Sequence, residues 1–125
     1  MKHLALIPCV FACATTAADL QPRIYDFAPH HLAELRMPAN VASPKGQVIA
    51  MFVRQRDAIA ACHLAGTYET DFSVELGLMT HVSVTPAAPC LEAALRAADV
   101  SLIAPDTAVR VTLPLVIDPG YAGAR

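Results

Sequence analysis

The chain has 125 residues, 55% of them hydrophobic, with nine Lys or Arg against eleven Asp or Glu and a net charge of −2. That length suits one small domain able to bury a real core without depending on a metal. No basic cluster is present, which excludes the phosphate-neutralising surfaces that bind nucleic acid or an anionic membrane.

Residues 1–18 read as an export signal. Lys2 and His3 give a basic start, Leu4 to Ala14 is an apolar run, and Ala12 to Ala18 offers small residues for cleavage before Asp19. The run falls short of the about 20 residues a membrane-spanning helix needs. The expected location is periplasmic or secreted. A lipid anchor on Cys13 is the alternative, because Val10-Phe11-Ala12-Cys13 loosely follows a lipobox. Cleavage after Ala18 leaves eight basic and eleven acidic residues. It also leaves two cysteines, Cys62 and Cys90, for which a disulfide is the default in an oxidising compartment.

Residues 19–46 form a proline-rich arm, with Pro22, Pro29, Pro38 and Pro44 breaking any long regular element. Within it, Pro29 to Met37 has the composition of two helical turns stopped by Pro38. Gln47 to Arg54 is continuously apolar and rich in β-branched and aromatic residues, the pattern of a strand buried on both faces. Ala58 to Leu64 is a second apolar run, and the two together predict a hairpin. From Phe72 to Val84 the apolar residues fall on even positions, which predicts a strand pair bent near Gly77.

Pro89 to Asp99 is the clearest helix. Cys90, Leu91, Ala94 and Leu95 gather on one arc, with Glu92 and Arg96 opposite. A bridge from Cys90 to Cys62 would then tie this helix to the sheet. Val109 to Ile117 alternates again and predicts a strand with one inward face, and Pro114 predicts that it lies at an edge or a bulge. The fold class expected is α+β: an antiparallel sheet covered on one face by one amphipathic helix, with one disulfide. The domain covers residues 47–118, and 119–125 form a tail.

Reaction signatures are missing. Cys62-His63 invites a nucleophile, but adjacent strand residues face opposite ways and Cys90 offers the thiol a structural partner. His30, His31, His63 and His81 match no metal-ligand spacing, and the acidic residues are scattered singly. Neither GxSxG nor a phosphate-cradling glycine loop occurs. The expectation is a binding protein with no catalytic residue, metal or cofactor.

Lys45-Gly46-Gln47-Val48-Ile49-Ala50-Met51-Phe52-Val53 resembles the opening of the TonB C-terminal domain family, which commonly shows Gly, a short gap and Val-x-x-x-Phe-x-Val. Arg56 to Leu64 is similar to that family's second strand, where one branch carries a cysteine, with a second cysteine in the following helix. Val82 to Ala87 is similar to its Phe-x-Pro-Ala segment, and Val109 to Leu115 to its last strand. Three features depart from the pattern. The family's Ser-Ser-Gly reads Ala65-Gly66-Thr67, the Leu-Asp opening its helix is missing, and the helix follows the Pro-Ala segment instead of preceding it. The family's membrane anchor and long proline-rich linker are not seen either, so the energy-coupling role is not expected to carry over.

The resemblance implies a protein or peptide partner in the cell envelope, recognised by adding a strand to a sheet edge. The candidate edge is the strand bearing Val111, Leu113, Pro114 and Leu115, since proline suppresses indiscriminate pairing. Two alternatives come from other classes. One is a thiol enzyme or redox factor using Cys62 with His63; the other is an envelope structural protein with no diffusible ligand.

Overall fold

A computed structural model describes residues 21–121. The proposed signal, Cys13 and the last four residues of the tail lie outside that range. Five strands form one mixed sheet: β1 (Arg23–Asp26), β2 (His30–His31), β3 (Gly66–Glu75), β4 (Leu78–Thr85) and β5 (Ala108–Ile117). Three helices accompany it: α1 (Pro44–Arg54), α2 (Arg56–Ala60) and α3 (Pro89–Arg96). The sheet order is β1-β5-β3-β4, with β2 also on β5. The β3–β4 and β3–β5 pairs are antiparallel, while β1 and β2 run parallel to β5.

The α+β class and the disulfide stand, but the cover is three helices and not one. Gln47 to Arg54 is helical, and so is the start of the second apolar run. Their expected hairpin is therefore a helix pair. A continuous apolar run cannot distinguish a buried strand from a buried helix. Here the flanking residues decide. Ser43 caps the helix, its Oγ accepting from the Gly46 amide at 2.9 Å, and Pro44 occupies the first turn. Val48, Met51 and Phe52 then fall at i, i+3 and i+4 and are all buried. Gly46 is required for space, because a Cβ there would lie 1.9 Å from the Asn40 carbonyl oxygen.

The strand pair follows its periodicity. Phe72, Val74, Val82 and Val84 face the helices, joined there by Val109, Val111, Leu113, Leu115 and Ile117 of β5. The even-numbered pattern fails at Leu76 and Leu78, which are exposed. Leu76 and Gly77 both have positive φ (53° and 77°), which makes a tight two-residue turn. An irregularity between Ser73 and Val74 then shifts the register of β4. The turn is held from outside, the Leu76 and Gly77 amides donating to the Thr107 and Ala104 carbonyls at 2.9 and 3.1 Å.

In the arm, the two helical turns expected over 29–37 are instead β2 followed by one 3-10 turn, Leu32–Glu34. Leu32 and Leu35 are buried there, and the Arg56 guanidinium donates to the Leu35 carbonyl. The Gln55 side-chain amide ties the α1–α2 junction to α3 by donating to the Ala94 carbonyl at 2.7 Å. The helices thus form one layer on one face of the sheet. The other face carries Glu69, Asp71, Ser73, Arg110 and Thr112 and is open to solvent.

Candidate functional site

Cys62 and Cys90 are joined, with an S–S distance of 2.00 Å and Cα atoms 5.7 Å apart. The bridge runs from just beyond α2 into α3, so it links helix to helix and not helix to sheet. Cys90 is exposed instead of lying on the buried arc, which consists of Leu91, Ala94 and Leu95. The bonded sulfurs leave His63 no thiol to activate. The histidines stay apart: His30 Nδ1 lies 2.6 Å from the Ala28 carbonyl, and His31 pairs with Asp118 at 3.5 Å. Among the described residues, no three His, Cys, Asp or Glu side chains are grouped to hold a metal ion.

The strand expected as an edge is interior. β5 pairs along its whole length with β3, and Val111, Leu113 and Leu115 point into the core. Its outer side is covered by β1 and β2. The N–H and C=O of one strand residue point the same way. The Thr112 carbonyl accepts from the Phe27 amide at 2.9 Å, so Arg110, Thr112 and Pro114 direct their main chain outward. Pro114 therefore takes no hydrogen bond from the β3 ladder. It stands opposite the interruption between β1 and β2, where Pro29 also lacks a donor. Pro114 thus marks a gap in the pairing of β5 and not a free strand.

Of the two strands that end the sheet, β1 and β4, β4 is the longer. Carrying the alternation from Thr112 through β5 and β3 directs Ser83 and His81 toward β3 and leaves Val82 and Val84 facing outward. Among the described residues, neither amide nor carbonyl of Val82 or Val84 bonds to a loop or helix. β4 contains no Lys, Arg, Asp, Glu or Pro, the residues that usually protect an edge. The register shift affects only its first half. Beside that half opens a cleft of about 490 Å3 lined by Leu78, Met79, Arg96, Ala98 and Val100. Leu78 is 69% exposed.

Two polar features frame this region. On the open face, the Arg110 guanidinium donates to both Asp71 carboxylate oxygens at 3.2 and 3.0 Å, which raises its pKa further. At the cleft, the Ser101 amide and hydroxyl both donate to Asp99 Oδ1, at 3.0 and 2.7 Å. These bonds, the amide's first, hold the Asp99 carboxyl below its ordinary value of 3.8. Since the folded-state pKa is depressed, its contribution to stability is present above the unfolded value and is lost as pH falls through the folded one. A carboxyl-carbon NMR titration should give Asp99 a midpoint below 3.8, and Ser101→Ala should move it back up.

The class the fold defines is a two-layer α+β domain with one solvent-facing sheet surface and, among the described residues, sheet edges formed by β1 and β4. No protein-family model, curated protein or solved structure matches the chain.

Proposed function

We propose that this is an exported protein-binding domain that takes an extended segment of a partner protein onto the β4 edge. The observation that carries the reading is an eight-residue edge strand with neither charge nor proline and with outward main-chain groups at Val82 and Val84. Main-chain bonds supply affinity in such pairing, and flanking pockets supply selectivity. The cleft at Leu78 is suited to the second task. The bridged cysteines are compatible with the oxidising compartment that residues 1–18 imply.

The element order also supports kinship with the TonB C-terminal domain, in a register different from the one the sequence suggests. Residues 45–53 are helical and do not suit the family's first strand. On β3, Gly66 is followed by Tyr68-x-x-x-Phe72-x-Val74, similar to Gly and Val-x-x-x-Phe-x-Val with Tyr for the first Val. β4 is then the second strand, and Leu91-Glu92 in α3 resembles the Leu-Asp. Ile103-Ala104-Pro105 follows the helix as Phe-x-Pro does, and Pro114-Leu115 lies in the last strand. Two departures remain: Pro86-Ala87-Ala88 follows β4 in place of Ser-Ser-Gly, and Cys62 precedes the first strand.

Val84→Pro tests the edge, because it removes an outward N–H and no internal one. Affinity capture from periplasmic extract should lose its partner with this variant. Stability should fall by no more than about 2 kcal/mol, from lost side-chain packing. In the unmodified complex, the Val82 and Val84 amides should gain protection from hydrogen exchange. A captured partner that binds Val84→Pro equally well overturns the proposal.

A further inference from the structure

The two bonded sulfurs stand at opposite kinds of helix end. Cys90 is the second residue of α3, after Pro89, and Ala88 before them gives the helix no side-chain cap. Proline has no N–H, so the first open donors of α3 are the Cys90 and Leu91 amides. Among the described residues neither donates to a carbonyl. The carboxylate of α3, Glu92, is taken up by Arg96 at 2.6 Å. A sulfur anion on Cys90 therefore meets two free amides and the positive end of a helix, a setting that favours thiolate over thiol. Cys62 has the reverse. It follows α2, its amide donating to the Ile59 carbonyl at 3.0 Å, where a helix presents its carbonyls. Cys90 is also exposed, while Cys62 is half-buried.

We infer that Cys62 and Cys90 form a thiol–disulfide exchange centre in which Cys90 is the sulfur that bonds to a partner, the partner being an exposed disulfide. In the reduced chain the Cys90 thiolate attacks one sulfur of that disulfide. A Cys90–partner bond forms, the partner's own S–S bond breaks, and its second sulfur leaves as a thiolate that takes a proton from water. Cys62 gives its proton to solvent and attacks Cys90 Sγ. The internal bridge forms, and the partner leaves with two reduced sulfurs. Two electrons pass from the chain to the partner, and the joined cysteines are the oxidised end state. Closing the bridge also fixes the short α2 against α3, which favours this direction. The centre is separate from β4 and does not depend on the reading of that edge.

Competitive alkylation of the reduced full chain tests the activation. With limiting iodoacetamide at neutral pH, mass spectrometry should place label on Cys90 at least about tenfold ahead of Cys62. Cys90 should also react at least about threefold faster in the folded chain than in urea, where its exposure is complete. Accessibility alone does not produce that second ratio. Transfer is tested by mixing the reduced chain, without air, with glutathione disulfide or with insulin. Each bridge formed should release two thiols, and acid quenching should trap the mixed disulfide on Cys90. Cys62→Ser should stop at that adduct, and Cys90→Ser should form one at least about tenfold more slowly. Reduction of insulin identifies a protein partner, and reduction of glutathione disulfide alone a small molecule. Equal labelling of the two sulfurs overturns the inference, as does a Cys90 that reacts no faster folded than unfolded. So does a reduced chain without helical circular dichroism, because the helix end that activates Cys90 is then gone. If a serine variant does not fold, the labelling ratios in the unmodified chain decide.

Discussion

Replacing Cys62 and Cys90 together by alanine is expected to lower unfolding free energy by about 3.6 kcal/mol, the chain-entropy value for a loop of this size. The two cysteines are 28 residues apart in sequence. Urea titration of the oxidised protein and the double variant would measure the difference, with the midpoint moving down. The local structure explains why the bridge matters. α2 has five residues and buries only Ile59 and Ala60, too little to keep a helix that short in place by packing. The covalent link to α3, whose Leu91 and Leu95 are fully buried, holds it against the layer. For a domain with about 5–15 kcal/mol of net stability, that is a large share. A loss below about 1 kcal/mol would mean that the unfolded chain gains little freedom when the bridge is removed, contrary to the entropic account.

How much of this fold was legible in the sequence varied with the kind of signal each segment carried. Period-two alternation identified β5 and most of the β3–β4 pair, because a sheet with one open face writes its burial into every second residue. The wheel of α3 identified that helix but misplaced Cys90: an arc drawn at 100° per residue does not say where its margin meets solvent. The run from Gln47 to Val53 misled because it is apolar throughout, so neither period stands out. Ser43-Pro44, the available start signal, lies at the end of a proline-rich stretch that reads as an arm.

The candidate site was less legible still. Whether a strand lies at an edge depends on its neighbours in space, which a single chain's pattern does not encode. Pro114 did carry information, but about the gap facing Pro29 and not about an unpaired strand. The better edge signal lies in β4. Leu78 to Thr85 has no charged residue and no proline, and Leu76 and Leu78 break the burial pattern at its start.

Phe72→Ala is expected to cost about 3–5 kcal/mol, as for other buried phenylalanines, and guanidinium unfolding of the disulfide-intact protein would measure it. Phe72 is fully buried in β3, the strand between β4 and β5. Its ring meets Phe52 of α1 with centroids 6.2 Å apart and planes inclined at 52°, so truncation opens a cavity between sheet and helix layer. The pair itself contributes about 0.5–1.5 kcal/mol beyond its buried area, which a double-mutant cycle with Phe52→Leu would isolate. Leu78→Ala is the contrast: an equally apolar side chain, but exposed, and its loss should stay within about 0.5 kcal/mol. Phe72 also stands opposite Val82 in the ladder, so the same cavity should loosen the edge proposed to meet a partner. Amide exchange at Ser83, whose main chain faces β3, should therefore rise in Phe72→Ala and not in Leu78→Ala. A cost for Phe72→Ala below about 1.5 kcal/mol would mean that α1 does not rest on the sheet, and the edge would lose its support.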